Sequence, residues 1–161
     1  MMEPASVDRQ AHDGFDHVYI ENDWYDGPRS GLAIVGGAPH YFQAVDSYHH
    51  PDEPDDEYFV WPATESALAL EQEQWAIFIE WNTRYKAGTA TVDDHPGHGS
   101  VSARYDELAT LLAPYRALPP GARRLAADWH WPPTDGAPGY QIDGPGYLVK
   151  WRSSQQQPTT A

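Results

Sequence analysis

Short runs of branched and aromatic residues, each broken by a turn signal, fill residues 17–61 and predict strands. Val18, Tyr19 and Ile20 give residues 17–25 their strand propensity. Asp26-Gly27-Pro28-Arg29 reads as a turn, because Pro28 presets φ and Gly27 relieves crowding. A second strand covers residues 31–35. Gly36-Gly37 then marks a two-residue hairpin, whose central positions both need positive φ. In a third strand, residues 40–45, Tyr41, Gln43 and Val45 alternate with Phe42 and Ala44. These three make an antiparallel meander. Residues 49–57, rich in Pro and Asp, form a loop, and residues 58–61 a short apolar strand stopped by Pro62.

The period then changes. Residues 64–87 predict a long helix, with Thr64 as N-cap, Glu65 at the positive end of the dipole and Gly88 as a left-handed C-cap. Leu68, Leu70, Trp75, Ile77, Phe78, Ile79, Trp81 and Tyr85 spread over a broad face. Trp75, Phe78 and Trp81 are expected to be buried against the sheet. Glu71, Gln74 and Asn82 fall inside that apolar sector, so each must sit at its rim or join a hydrogen-bond network.

After a Gly/His/Asp loop over residues 89–100, Val101, Tyr105, Leu108, Leu112 and Tyr115 recur at four-three spacing. They predict a second helix, bent or ended by Pro114. Leu125, Ala127, Trp129 and Trp131 alternate with Ala126, Asp128 and His130, a strand with one aromatic face. Residues 132–139 are a loop. A last strand over residues 146–151 puts Tyr147, Val149 and Trp151 on one face. The predicted fold is α+β, an antiparallel sheet of five to six strands with two helices packed on one face. Residues 1–14 are expected to be a flexible arm, residues 15–152 a single domain and residues 153–161 a disordered tail.

Composition adds to this picture. Seven Trp, ten Tyr and four Phe in 161 residues give the core much of its volume. There is no cysteine, which rules out disulfides and thiolate metal sites and fits a reducing cytoplasm. The first twenty residues show no secretory pattern, and no apolar run is long enough to span a bilayer. The net charge is −14 and uneven. Residues 1–60 hold 13 Asp/Glu against 2 Arg, and residues 61–161 hold 11 against 8 Lys/Arg. Such a field repels phosphate backbones and attracts basic proteins.

The densest polar chemistry lies in Asp23-Trp24-Tyr25-Asp26-Gly27-Pro28-Arg29-Ser30-Gly31. Arg29 either pins this turn through Asp23, Asp26 or a more distant carboxylate such as Glu71, or offers a planar fork to a ligand beside Trp24 or Tyr25. His95 and His98 follow Asp93-Asp94, and His49-His50 precede Asp52. Pro96 and Gly97 make the first pair a loop rather than a helix face, so these read as solvated loop histidines, with no metal and no cofactor. No phosphate loop, His-Glu-x-x-His or nucleophile elbow occurs. Trp129, Trp131, Tyr147 and Trp151 form either core beneath the helices or an exposed recognition surface.

The run DWYDGPRSG, then GGAPHYF, then LALEQEQWAIFIEW resembles an uncharacterised family of small bacterial proteins. These carry a YDGPRSG hairpin, a G-x-P-H-Y/F strand and an L-A-L-E-x-x-W helix. The resemblance covers roughly residues 17–86 and implies no activity.

Two functions follow as expectations. The first is a non-enzymatic, cytoplasmic acidic domain that binds a basic protein, as an immunity or antitoxin-like inhibitor would, and touches neither nucleic acid nor membrane. The alternative is a small-ligand-binding protein or enzyme. Its site would be built from Asp23, Trp24, Tyr25, Asp26, Arg29 and His40 around the first hairpin, with Glu71 from the long helix. A flat acidic face without a deep cavity favours the first. A pocket with Arg29 and an aromatic ring in its wall favours the second.

Overall fold

A computed structural model describes residues 14–24, 27–45, 56–131 and 139–153. Residues 1–13 of the expected arm, residues 154–161 of the expected tail, and His49, His50 and Asp52 lie outside them; Ser153, expected in the tail, ends the last strand. Eight principal elements follow in chain order: β1 (Asp16–Trp24), β2 (Pro28–Val35), β3 (Ala38–Ala44), β4 (Asp56–Pro62), α1 (Glu65–Lys86), α2 (Ala103–Arg116), β5 (Arg123–His130) and β6 (Leu148–Ser153). Among the described residues no helix is long and apolar enough to cross a membrane.

The strands do not form an open sheet. Each pairs antiparallel with the next, and β6 returns to β1 through Asp16↔Val149 and His17↔Leu148, closing a six-stranded barrel. The expected sheet with helices on one face is therefore corrected to a barrel with helices outside it. Register shifts along β1, between Val18 and Ile20 and again between Glu21 and Trp24, supply the bends that closure needs. Glycine at position 31 lets β1 and β2 approach closely, since a Cβ there would lie 2.0 Å from the Ile20 carbonyl oxygen and 2.9 Å from Phe42.

Side-chain alternation divides the core in two. Val18, Ala33, Val35, Phe42, Tyr58, Val60, Ala127 and Val149 come from all six strands and meet inside the barrel, joined by Tyr147. Phe42, Tyr58, Trp129 and Trp151 fill it with ring centroids 5.6–6.2 Å apart. Of the aromatic face expected either as core beneath the helices or as an exposed surface, Trp129, Tyr147 and Trp151 are core inside the barrel, which needs no helix to cover it, while Trp131 stays 49 % exposed. Ile20, Leu32, Tyr41 and Trp61 point the other way and pack with Ala67 and Trp75 of α1.

The Gly36-Gly37 turn and the ends of α1 behave as read, whereas Pro28 and Arg29, expected in a turn, already belong to β2, with Pro28 paired to Trp24. Gly36 and Gly37 have φ of 61° and 89° and connect Val35 to its partner Ala38. Thr64 accepts from the Ala67 amide at 3.0 Å. At the far end of α1, Gly88 has φ of 81°, its amide donates to Tyr85 O and the Thr89 amide to Arg84 O, a Schellman closure. The buried stripe of α1 is narrower and more polar than the apolar count suggests: Ala67, Glu71, Gln74, Trp75, Trp81 and Asn82. Trp81 is buried, yet not against the sheet as expected. It packs on Phe78, Tyr85 and His95 and donates to Thr91 O at 3.1 Å. Phe78 is half-buried beside Tyr140. Leu108 and Leu112 anchor α2, and Pro114 is accommodated in its last turn.

Candidate functional site

A groove runs between the outer wall of β1–β4 and the two helices. Its roof is a polar network that α1 and α2 build before any ligand is considered. Glu71, 1 % exposed, receives Arg116 as a fork, Nε to Oε2 at 2.8 Å and Nη2 to Oε1 at 2.7 Å. Arg116 Nη2 also donates to Gln74 Oε1 at 2.7 Å, and Gln74 Nε2 donates to the Tyr105 carbonyl at 3.1 Å. From the barrel wall, the Tyr41 hydroxyl donates to Glu71 Oε2 at 2.8 Å. Burial and the adjacent carboxylate both raise the Tyr41 phenol far above its usual range, so it stays a donor. Burial works against the Arg116 charge, but its bonds to Glu71 more than reverse this and leave its pKa raised. The Tyr41 ring stacks on Trp61, whose indole donates to Tyr115 O at 3.2 Å. Four elements, β3, β4, α1 and α2, are thereby fixed to one another by directional bonds.

Two hollows open along this groove. The larger, about 710 Å³, lies over the ends of β1 and β3 and the start of β2, and its wall includes Asp23, Trp24, Arg29, Gln43, Trp61 and Arg116. The smaller, about 340 Å³, runs under α1 past Trp75, Phe78, Trp81 and His95. Asn22, Gln74 and Tyr105 line both. These volumes fall in the range of small-molecule sites.

The residues singled out from sequence have separate fates. Arg29 is buried; its Nη2 donates to the Tyr58 hydroxyl at 3.1 Å, and that hydroxyl donates to Pro28 O at 2.6 Å. Asp23 is exposed and accepts from Ser30 Oγ at 2.9 Å. Trp24 is half in solvent and lines the larger hollow. Glu71 reaches the groove but binds Arg116, which corrects its suggested pairing with Arg29. His40 lines neither hollow, and its Nδ1 lies 2.9 Å from Ala38 O toward the opposite end of β3. Tyr25 and Asp26 lie outside the described residues.

Sequence reading missed Arg116, Gln43 and Tyr105. The only hint was the intrusion of Glu71 and Gln74 into an apolar helix face, which demands partners without naming them. The histidines of the described loop are used locally. His95 Nδ1 accepts from the Gly97 amide at 2.8 Å, and His98 Nε2 lies 2.9 Å from Val92 O. Among the described residues, no three His, Cys, Asp or Glu side chains cluster closely enough to hold a metal ion.

No family model, curated protein or solved structure matches this chain.

Proposed function

We propose that the chain binds a small polar molecule with a flat ring in the groove between barrel and helices. The larger hollow carries this reading, because Arg29 and the rings of Trp24, Tyr41 and Trp61 share its wall. The guanidinium of Arg116 and the amides of Asn22, Gln43 and Gln74 line the same hollow. Such groups recognise the polar edges of a ligand, and the rings take its faces. The Glu71–Arg116–Gln74–Tyr41 network holds the wall in one geometry, so little ordering cost remains at binding. We place the protein in the cytoplasm on its lack of cysteine.

The reading as an acidic domain for a basic protein is favoured by the net charge of −14. It stands second, because many described carboxylates already hold arginines. Glu57 pairs with Arg124, Glu71 with Arg116, Glu73 with Arg104 and Asp128 with Arg152.

A thermal-shift panel of planar polar metabolites tests the groove. Gln43→Trp fills the larger hollow from the outer face of β3. At least one compound should raise the melting temperature of the natural sequence by several degrees at saturating concentration, and the shift should vanish in Gln43→Trp while the unliganded melting point is retained. A panel with no compound that distinguishes the two proteins would reject this reading.

A further inference from the structure

One mouth of the barrel is built differently from the groove. Trp24 at the end of β1 and Trp131 just after β5 are 52 % and 49 % exposed, unusual for indoles. They touch each other at 5.9 Å between ring centroids, and both touch Tyr147, at 6.2 and 5.2 Å. With Tyr140 and Pro145 they surround an open hollow of about 330 Å³.

Among the described residues, the one charged group in that wall is Glu21. Its Oε2 accepts from the Tyr140 hydroxyl at 2.5 Å and its Oε1 from the Tyr147 hydroxyl at 2.7 Å. Burial raises the Glu21 carboxyl above its ordinary value. The two hydroxyl bonds oppose that shift, and nearby Asp23 adds slightly to it. Both phenols are themselves raised, by burial first and then by Glu21, so they remain donors. Two donors on one carboxyl suit its ionised form, which is acceptor-only. An anion behind exposed aromatic rings, on a chain of net charge −14, presents a negative potential with little competing hydration.

We propose that this mouth binds a compact organic cation of the quaternary ammonium type, in a site that adjoins the groove, sharing Trp24 with its larger hollow and Glu21 and Tyr140 with its smaller one, and that adds Trp131, Pro145 and Tyr147. Ring faces attract such a cation through their quadrupoles, and its methyl groups bury apolar surface without asking for hydrogen bonds. That matches a wall whose hydroxyls already point at Glu21. A strongly hydrated ion would regain little for the water it loses, since each Glu21 oxygen already accepts a tyrosine hydroxyl and the rest of the described wall is aromatic or apolar.

The probe is choline, compared with 3,3-dimethylbutan-1-ol, which has the same shape and no charge. Titrations of the ¹⁵N-labelled full chain follow the indole N–H resonances. Choline should shift Trp24 and Trp131 saturably, and the alcohol should bind about tenfold more weakly or worse, the size a desolvated cation–π contact supports. Trp131→Ala should weaken choline by a similar factor with an unchanged melting temperature. Glu21→Gln should weaken choline and leave the alcohol unaffected. Gln43→Trp, which closes the groove, should leave choline binding intact. Equal affinity for alcohol and choline would reduce the mouth to an apolar patch and overturn the proposal. So would full choline binding by Trp131→Ala, no saturable shift at all, or shifts confined to Trp61 and Trp75 in the groove.

Discussion

Inside the barrel, Phe42, Tyr58, Trp129 and Trp151 pack ring on ring, while across the wall Tyr41 and Trp61 of the neighbouring strands meet Glu71, Gln74 and Arg116. The two regions lie back to back on the same strands and are held by different forces. The interior gains from non-directional apolar burial, which sums over many weak contacts and tolerates small shifts. The groove gains from a few bonds whose partners must arrive at fixed angles. The difference separates two jobs: the interior supplies stability, and the groove supplies geometry. A hollow lined by directional groups keeps its shape, which an apolar seam alone does not guarantee.

The largest effect should come from the interior. Tyr58 is fully buried, sits edge-on to Phe42, Trp129 and Trp151, and bridges Arg29 to Pro28 through its hydroxyl. Tyr58→Ala should cost about 3–5 kcal/mol in urea unfolding, through lost burial and a cavity. Tyr58→Phe keeps the ring and removes the bridge, and should cost about 1–3 kcal/mol. If the two variants cost the same, the hydroxyl bridge rather than ring packing would hold the barrel, and the contrast with the groove would fail.

The groove should respond in a way the interior cannot. Arg116→Met strands a buried carboxylate at Glu71 and should cost about 2–3 kcal/mol. That is below the range for a fully buried pair, because Arg116 keeps 29 % of its side chain in water. Adding Glu71→Leu should restore most of that loss, since an apolar pair of similar volume is often no less stable. The double variant should nevertheless lose any ligand response in the groove. Additive losses in the cycle would mean that Glu71 and Arg116 are not coupled, and that their pairing does not hold the groove.

The same division explains what was legible in the sequence. Strand runs, the Gly36-Gly37 turn and the caps at Thr64 and Gly88 are local, and local chemistry alone places them. Closure is not local. It rests on the pairing of Asp16 and His17 with Val149 and Leu148, 131 or more residues apart, and on bulges in β1 that alternation alone does not reveal. An aromatic face on a strand reads identically whether a helix or the opposite barrel wall covers it, so the pattern of Trp129 and Trp151 does not distinguish the two. At the site, Arg29, Asp23 and Trp24 were visible because they crowd into nine residues. Arg116 was not, because its partner lies 45 positions away. Glu71 announced a need for a cation without saying which.

The smallest expected effect concerns His95, which borders the smaller hollow and not the barrel interior. Its ring packs 4.5 Å from Trp81, and its Nδ1 accepts from the Gly97 amide. Burial, and secondarily the neighbouring His98, lowers its pKa from 6.5. The unfolded chain therefore takes up this proton at higher pH than the folded one. The stability that neutral His95 contributes is present above about pH 6.5 and is lost as pH falls through that value toward the folded pKa. The ring is only half-buried, which keeps the effect modest. Protonation at Nδ1 removes the acceptor for Gly97 and places charge beside Trp81, so the loosening should be local. Hydrogen exchange, corrected for intrinsic rates, should show the Trp81 indole losing protection in mild acid while the β2–β3 amides keep theirs. In His95→Gln the acid sensitivity of Trp81 should disappear. Equal loss in the strands would mean that the groove and the barrel open as one cooperative unit, and the separation drawn between them would have to be abandoned.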